Sequence, residues 1–367
     1  MTDNNRPGGD RPEDDLPQEP GSGREGISPV PGQADPGSPQ SPDEPSAVPG
    51  SVSTDLQEKY SVEKKLDLSQ KSYSQGQLVR RRFVRHKGAM ASLIMLVFIT
   101  VIAFTSIGYG LIPSWWDKGY VQTNAPVDGG RPSMQLWPLQ FGEHPFGQDT
   151  IGKDYFALTM RGTQRSLIIA FTVGLISTMI GTTIGAIAGF YRGWVEAILM
   201  RMTDLFIVIP LLVLAAVFGQ YAGGIWSLAF LLSVLTWTGL ARLVRGEVLS
   251  LREREFVTAA EAIGTGSGRI IFRHILPNTI GTIIVSATLA IAATILLESA
   301  LSFLGWGVQA PDTSLGLLIS DYQNAFLTRP WLFWWPGMMI LGIALSVNFL
   351  GDGLRDAFDP RQNRTAD

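Results

Sequence analysis

Six apolar segments, each about 20 residues long, constrain the fold of this chain more than any other feature, because a helix needs about that length to cross a bilayer. More polar stretches separate these segments. The sequence therefore predicts an all-α, polytopic membrane protein with six transmembrane helices. The predicted spans are residues 88–110, 166–190, 203–221, 225–244, 279–297 and 332–350.

The first 75 residues differ in composition from the rest of the chain. They are rich in Pro, Gly, Ser and acidic residues, and they almost lack large apolar side chains. Such a segment cannot bury enough apolar surface to offset its conformational entropy. We therefore expect residues 1–75 to be a disordered cytoplasmic tail, residues 76–361 to be the membrane domain, and residues 362–367 to be a short C-terminal tail. The absence of cysteine excludes disulfides and thiolate metal sites.

The distribution of Lys and Arg predicts how the spans are oriented, because cytoplasmic loops carry an excess of these residues. Five of them stand just before the first span: Arg80, Arg81, Arg82, Arg85 and Lys87. With six spans, the Arg-rich segment between the fourth and fifth spans falls on the same side, as does the C-terminus. We therefore expect a multi-pass protein of the plasma (inner) membrane with both termini in the cytoplasm.

A polar segment, residues 245–278, joins the fourth and fifth spans, and we name it the coupling loop. Residues 255–263 are predicted to form a short helix that ends at Gly264, since glycine readily adopts positive φ at a helix end. Residues 267–276 form a second helical run, which leads through Pro277 into the fifth span. Two short helices on a membrane surface make a rigid contact point that another protein can push.

One face of the first short helix is small and shallow and carries a single aromatic ring, which suits docking into a partner. The predicted contact residues are Glu255, Phe256, Ala259, Ala260, Ile263 and Gly264. The spacing alone also fits a second interpretation, in which an amphipathic helix rests on lipid headgroups.

Glu298 stands at the outer end of the fifth span, where a buried carboxylate is costly unless it is paired or hydrated. It either lines a translocation pathway or pairs with neighbouring groups. His144, Asp149 and Asp154 lie in a Gly-rich stretch and are interpreted as turn residues, so no metal site is predicted.

Two features of the spans concern helix packing. Gly181, Gly185 and Gly189 form a small-xxx-small series on one face of the second span, which allows close backbone approach. This face packs either within the chain or against a second, similar subunit. Pro210 is expected to kink the third span.

The glycine-rich run at residues 264–268 does not predict a nucleotide site. It lacks the Gly-Lys-Ser/Thr ending of a phosphate loop and does not follow a strand. The sequence also contains no readable nucleophile, metal cluster or acid–base pair. We therefore expect no catalytic residues, no cofactor and no enzymatic activity.

The coupling loop resembles the cytoplasmic loop of ABC-importer permeases, whose pattern is Glu-Ala-Ala, three residues, Gly, nine residues, Ile-x-Leu-Pro. Five residues fall in register, namely Ala259, Ala260, Gly264, Leu276 and Pro277. Thr258 replaces the Glu and His274 replaces the Ile, and these two departures are similar to the dipeptide/oligopeptide-permease branch. The resemblance extends over most of the membrane domain. Four further blocks occur in the order that the family shows, at residues 144–154, 191–204, 298–311 and 348–361.

The resemblance implies the type I permease fold of ABC importers and a permease subunit for dipeptides or oligopeptides. It also implies that the coupling loop docks in a cleft of an ATP-hydrolysing subunit. The implied partners are a second homologous permease subunit, one or two cytoplasmic ATP-binding subunits, an extracellular substrate-binding protein, a peptide substrate and membrane lipid. ATP is bound by the partner subunits, and no nucleic acid is expected.

Two alternatives remain open at this level. Nickel or another small solute is a possible cargo, because nickel permeases closely resemble peptide permeases. An ion-coupled secondary transporter would use ionisable residues near the middle of the membrane, whereas the centres of these spans are nearly free of charge.

Overall fold

The computed structural model describes residues 75–137, 139–140 and 142–358. The expectations of disorder for residues 1–75 and of a tail at residues 362–367 lie outside these residues, except that Gln75 begins the first helix. The described helices are α1 (Gln75–Arg85), α2 (Lys87–Ser106), α3 (Tyr155–Tyr191), α4 (Gly193–Val208), α5 (Leu211–Gly219), α6 (Ile225–Thr236), α7 (Thr238–Arg252), α8 (Glu255–Ala262), α9 (Ser267–Ile270), α10 (Leu276–Phe303), α11 (Leu315–Tyr322) and α12 (Trp331–Phe358).

Three shorter helical turns complete the helical part of the described chain, at Asp128–Gly130, Ile271–Ile275 and Gln323–Ala325. The described residues contain one small antiparallel sheet, in which β1 (Gln135–Leu136) pairs with β2 (Leu139–Gln140). The predicted all-α class is confirmed, since this two-stranded sheet lies in a loop between α2 and α3.

Four helical segments are each long and apolar enough to cross a membrane: α2, α3, Ser267–Phe303 and α12. Two bent helix pairs, α4 with α5 and α6 with α7, bring the number in the described part of the chain to six if each pair is one span. The angle is 82° in the first pair and 42° in the second. The kink expected at Pro210 is thus a full break, because proline lacks an N–H and its ring clashes with the preceding helical turn.

Several helices extend beyond their predicted bounds, and α12, for example, ends at Phe358 rather than at residue 350. α3 begins at Tyr155 rather than at residue 166, because its first turns carry polar side chains that are buried against neighbouring elements instead of lipid. The second helical run of the coupling loop continues directly into the fifth span, so Pro277 does not separate the two. A π-helical turn at Ile271–Ile275 precedes Pro277. Its wider winding suits the missing backbone donor and the ring of Pro277.

α3 is the central helix of the bundle and packs against α2, α6, α7 and α10. Its glycine series faces α7 of the same chain, which is the first of the two predicted alternatives. A Cβ added at Gly185 would lie 2.5 Å from the backbone oxygen of Ala241, and one added at Gly189 would lie 2.8 Å from that of Arg245. The two backbones can approach this closely because glycine has no side chain in the contact.

Candidate functional site

α8 forms the projecting part of the coupling loop, and it ends as the sequence predicts. Gly264 has φ +75°, and its backbone N–H donates to the oxygen of Glu261 at 2.9 Å. The N–H of Thr265 donates to the oxygen of Ala260 at 3.0 Å. These two bonds form a Schellman motif, which satisfies the last carbonyls of α8 and turns the chain sharply towards α9.

The predicted contact residues do not all lie on one exposed surface. Glu255 and Ala259 are exposed, and the exposed fraction is 42% for Phe256 and 83% for Ile263. Ala260 is only 6% exposed, so its placement on the outer face is corrected.

The inner face of α8 belongs to an apolar cluster with the end of α7 and the π-helical turn. Val257 and Ala260 pack there with Val248, Ile270 and Ile271. Ala260 stands at the border between the two faces, and its small side chain permits this close packing. The predicted contact residues that remain available to a partner are therefore Glu255, Phe256, Ala259, Ile263 and Gly264, which we call the α8 surface.

Two arginine contacts join the base of α8 to the end of α3. The guanidinium of Arg252 donates to the backbone oxygen of Phe190 at 2.5 Å and lies 5.2 Å from the centre of the Phe190 ring. Arg192 forms an ion pair with Glu253. These contacts connect the chain just before α8 to the end of α3, the central helix of the bundle.

Glu298 lies in α10, is completely buried and faces Ser166 of α3. Its carboxylate accepts hydrogen bonds from Ser166 at 2.9 Å and from Ser302 at 2.7 Å. The Ser302 hydroxyl in turn accepts from the N–H of Val308 at 3.2 Å. These contacts are those of local pairing, one of the two predicted alternatives, and the role of Glu298 in a pathway stays a prediction.

His144 and Asp154 are both buried and form a close pair before α3. The Nδ1 atom of His144 lies 2.7 Å from Oδ2 of Asp154. The other carboxylate oxygen accepts from Trp116 at 3.2 Å and from the N–H of Ala157 at 2.8 Å. Asp154 therefore caps the N-terminus of α3 while holding the preceding loop in place.

Asp149 organises the turn between these residues. Its Oδ1 atom accepts from the N–H groups of Ile151 at 2.9 Å and Lys153 at 2.7 Å. Its Oδ2 atom accepts from the Tyr322 hydroxyl at 2.8 Å. Burial, together with the neighbouring Asp149 carboxylate, raises the pKa of Tyr322 above its ordinary value, so the tyrosine remains a donor at neutral pH. This is the turn chemistry that the sequence indicates.

A cavity of about 340 Å³ lies where the two bent pairs break, next to α10. Pro210, Thr236 and Thr294 contribute to its lining, which is otherwise mostly apolar and contains no charged side chain. Pro210 is recognisable in the sequence as a helix breaker, whereas the threonines were not predicted to line a cavity. Isolated hydroxyl groups inside apolar spans are the signal that could have identified them.

Comparisons with known proteins place these features in a family. The model described as "binding-protein-dependent transport system inner membrane component" matches residues 181–364. A second model, described as the N-terminal TM domain of oligopeptide transport permease C, matches residues 74–126.

The curated relatives match along nearly their whole length. The oligopeptide transport system permease protein OppC of Mycobacterium tuberculosis (strain ATCC 25618 / H37Rv) is 40% identical over 286 residues, which cover 77% of this chain and 94% of that protein. The protein of the same name from Haemophilus influenzae is 38% identical over 286 residues, covering 77% of this chain and 87% of that protein. Among solved structures, a chain of the inward-facing MetNI methionine ABC transporter matches with a TM-score of 0.47 and 18% identity, covering 56% of this chain and 98% of that one.

The family model covers half of the chain, and the two curated relatives are 40% and 38% identical to it over 77% of its length. The bundle of apolar helices with a projecting polar loop agrees with this assignment. The chain is a member of the family of binding-protein-dependent transport system inner membrane components, the permeases of ABC importers.

Proposed function

We propose that this chain is the permease subunit of an ABC importer that moves dipeptides or oligopeptides across the plasma membrane. The observation that carries the proposal is the 40% identity, over 286 residues, to a protein named an oligopeptide permease. ATP hydrolysis on separate subunits supplies the energy, so this chain needs no catalytic residue and no cofactor of its own.

The α8 end of the bundle is proposed to face the cytoplasm, together with both termini. The start of α2 and the end of α12 meet at this end, where His86 lies 3.6 Å from Asp356. The start of α10 reaches the same place, since Gly281 lies against Phe358. The arginines of α1 and of the coupling loop are therefore on one side, as the excess of basic residues in cytoplasmic loops requires.

The α8 surface is proposed to dock into a cleft of a cytoplasmic ATP-binding subunit. Phe256 and Ile263 offer exposed apolar groups that such a cleft can bury, and Ala259 lets the partner approach closely. Closure of one or two ATP-binding subunits then displaces α8. The contacts of Arg252 and Arg192 pass the displacement to α3, and the bundle shifts between inward-open and outward-open arrangements.

The translocation pathway is proposed to run past the breaks in the two bent pairs, between this chain and a second homologous permease subunit. The cavity at Pro210 has no charged lining, so it holds no fixed charge that would favour one peptide sequence over another. An extracellular substrate-binding protein would deliver the peptide to the opposite end of the bundle. Selection of the cargo then falls largely to that protein.

The proposal is tested with two neighbouring residues of α8. Thr258 and Ala259 are both exposed, but only Ala259 belongs to the α8 surface. In proteoliposomes that contain the assembled transporter, Ala259→Asp should lower ATP-dependent uptake of a labelled peptide by more than about 10-fold, because an unpaired charge would be buried in the docked interface.

The matched variant Thr258→Asp adds the same charge outside the α8 surface and should retain uptake within about 2-fold of the unchanged protein. Equal uptake by the two variants would contradict docking through this surface. Uptake that follows an ion gradient without ATP would indicate a secondary transporter. Uptake of Ni²⁺ but not of peptide would identify Ni²⁺ as the cargo.

A further inference from the structure

A polar cavity of about 450 Å³ lies at the end of the bundle opposite α8. Arg161 and Arg165 of α3 form one wall, and the loop at residues 107–114 forms the other. The two arginines are one helical turn apart and therefore project from the same side of α3. We call this space the double-arginine cavity.

The positive charge of the cavity is only partly balanced. Both guanidinium groups share a single carboxylate, that of Asp312, with Nε to oxygen distances of 3.1 Å for Arg161 and 2.6 Å for Arg165. No other ion pair to either arginine is present among the described residues. The site therefore keeps about one net positive charge, in a place where the two arginine side chains are 15% and 14% exposed.

Several guanidinium donors are left for a ligand. Arg161 uses Nε for Asp312 and Nη1 for the side-chain oxygen of Gln164 at 3.3 Å. In the described part of the chain its Nη2 atom has no hydrogen-bond acceptor, and neither terminal nitrogen of Arg165 has one. Three donor nitrogens thus remain on cationic groups that line an open polar cavity.

Both arginines are held in position before any ligand arrives. The Arg161 guanidinium lies 4.9 Å from the centre of the Tyr120 ring, and that of Arg165 lies 6.0 Å from the Tyr109 ring. Gln164 is itself fixed, since its amide donates to the backbone oxygens of Ala103 and Gly108. A preorganised arginine pair loses little conformational entropy on binding an anion.

We propose that the double-arginine cavity binds the carboxylate of a small solute, and that this solute is a short peptide held by its C-terminal carboxylate. The planar fork of a guanidinium matches a carboxylate with two parallel hydrogen bonds. The volume of the cavity is in the range of small-molecule sites. A C-terminal carboxylate is present on every peptide, so recognition here is independent of peptide sequence.

The choice of a peptide as the owner of the carboxylate rests on the proposed function, whereas the carboxylate itself follows from the arginines. At this end of the bundle, the cavity would receive the peptide before it reaches the break at Pro210. The double-arginine cavity is thus a first contact that orients the cargo with its carboxyl end towards α3.

The test measures binding of two probes, trialanine and trialanine amide, to the full-length chain in lipid nanodiscs by isothermal titration calorimetry. Trialanine should bind, and the amide should bind at least about 10-fold more weakly, because it lacks the charged acceptor. Arg165→Gln should weaken trialanine binding by a similar factor. Arg131→Gln removes a positive charge from an exposed position at the same end and should leave the affinity unchanged.

Asp312→Asn distinguishes a binding role from a structural one. It removes the carboxylate that competes for both arginines, so trialanine should bind more tightly than to the unchanged protein, and the gain should shrink as salt is raised. Thermal unfolding of each variant checks that it is folded. If Arg165→Gln is not folded, Arg165→Lys takes its place, since it keeps the charge and loses the fork.

Equal binding of the two probes would overturn the inference, and so would equal weakening by Arg165→Gln and Asp312→Asn. A lack of trialanine binding by the unchanged protein would also overturn it. Uptake of trialanine by the assembled transporter is measured separately. Uptake without binding in the cavity would contradict only this inference, and binding without uptake would contradict only the proposed function.

Discussion

The two ends of α3 are held by different kinds of interaction. At the first end, Asp154 is buried and joins the helix to its preceding loop through hydrogen bonds with His144 and Trp116. Near the other end, Gly185 and Gly189 bring the backbone of α3 against that of α7. The hydrogen bonds at the first end depend on several side chains that a loop positions, whereas the glycine packing at the other end depends only on the absence of a Cβ. The first end is therefore expected to be more sensitive to the loss of one side chain.

The largest effect is expected from Asp154→Ala. This change removes the cap of α3 and leaves the donors of buried His144 and half-buried Trp116 without an acceptor, which should cost about 3 kcal/mol of stability. Thermal unfolding of the purified chain in detergent measures the loss. Asp117 is exposed, and Asp117→Ala should stay within about 0.5 kcal/mol of the unchanged protein. Similar losses for the two variants would remove the contrast between the ends of α3.

A smaller effect is expected from Gly185→Ala at the other end. The added Cβ would lie 2.5 Å from the backbone oxygen of Ala241, so α3 and α7 must separate, at a cost of about 2 kcal/mol. Gly246 lies in α7 with no atom within 4 Å of an added Cβ. Gly246→Ala should therefore stabilise the chain by about 0.5–1 kcal/mol, because alanine loses less backbone entropy in a helix. Unfolding curves that shift in the same direction would contradict close packing of α3 on α7.

The smallest effect is expected from Arg192→Ala. The ion pair of Arg192 with Glu253 is largely exposed, and such pairs contribute less than about 1 kcal/mol. Unfolding should therefore change little at low salt, and the remaining difference should disappear at about 1 M salt, where exposed charges are screened. A loss as large as that of Asp154→Ala would show that the α8 end is fastened by polar contacts as well.

Much of the fold could be predicted from local sequence patterns. The apolar segments indicate the spans because their lengths match the bilayer, and Pro210 and Gly264 mark a break and a helix end through backbone chemistry alone. The start of α3 could not be placed in this way. Gln164 and its polar neighbours look like loop residues until the surrounding elements supply their partners.

The candidate sites show the same division. Helical spacing placed Phe256 and Ile263 on the exposed side of α8, but it also assigned Ala260 there, although that residue is buried in the apolar cluster with α7 and the π-helical turn. The pairing of Arg161 and Arg165 with Asp312 was not visible in the sequence, because the carboxylate lies far along the chain from both arginines.

The sequence by itself determined that this chain spans a membrane, that a span breaks at Pro210 and α8 ends at Gly264, and which family pattern its coupling loop follows. These properties depend on apolar length and on the backbone limits of proline and glycine, which act within a few residues. The tertiary structure alone decided which face of α8 is free, what Glu298 contacts and how two arginines come to share one acid. Such contacts join residues distant in the chain, and only the packing of whole helices brings them within hydrogen-bonding distance.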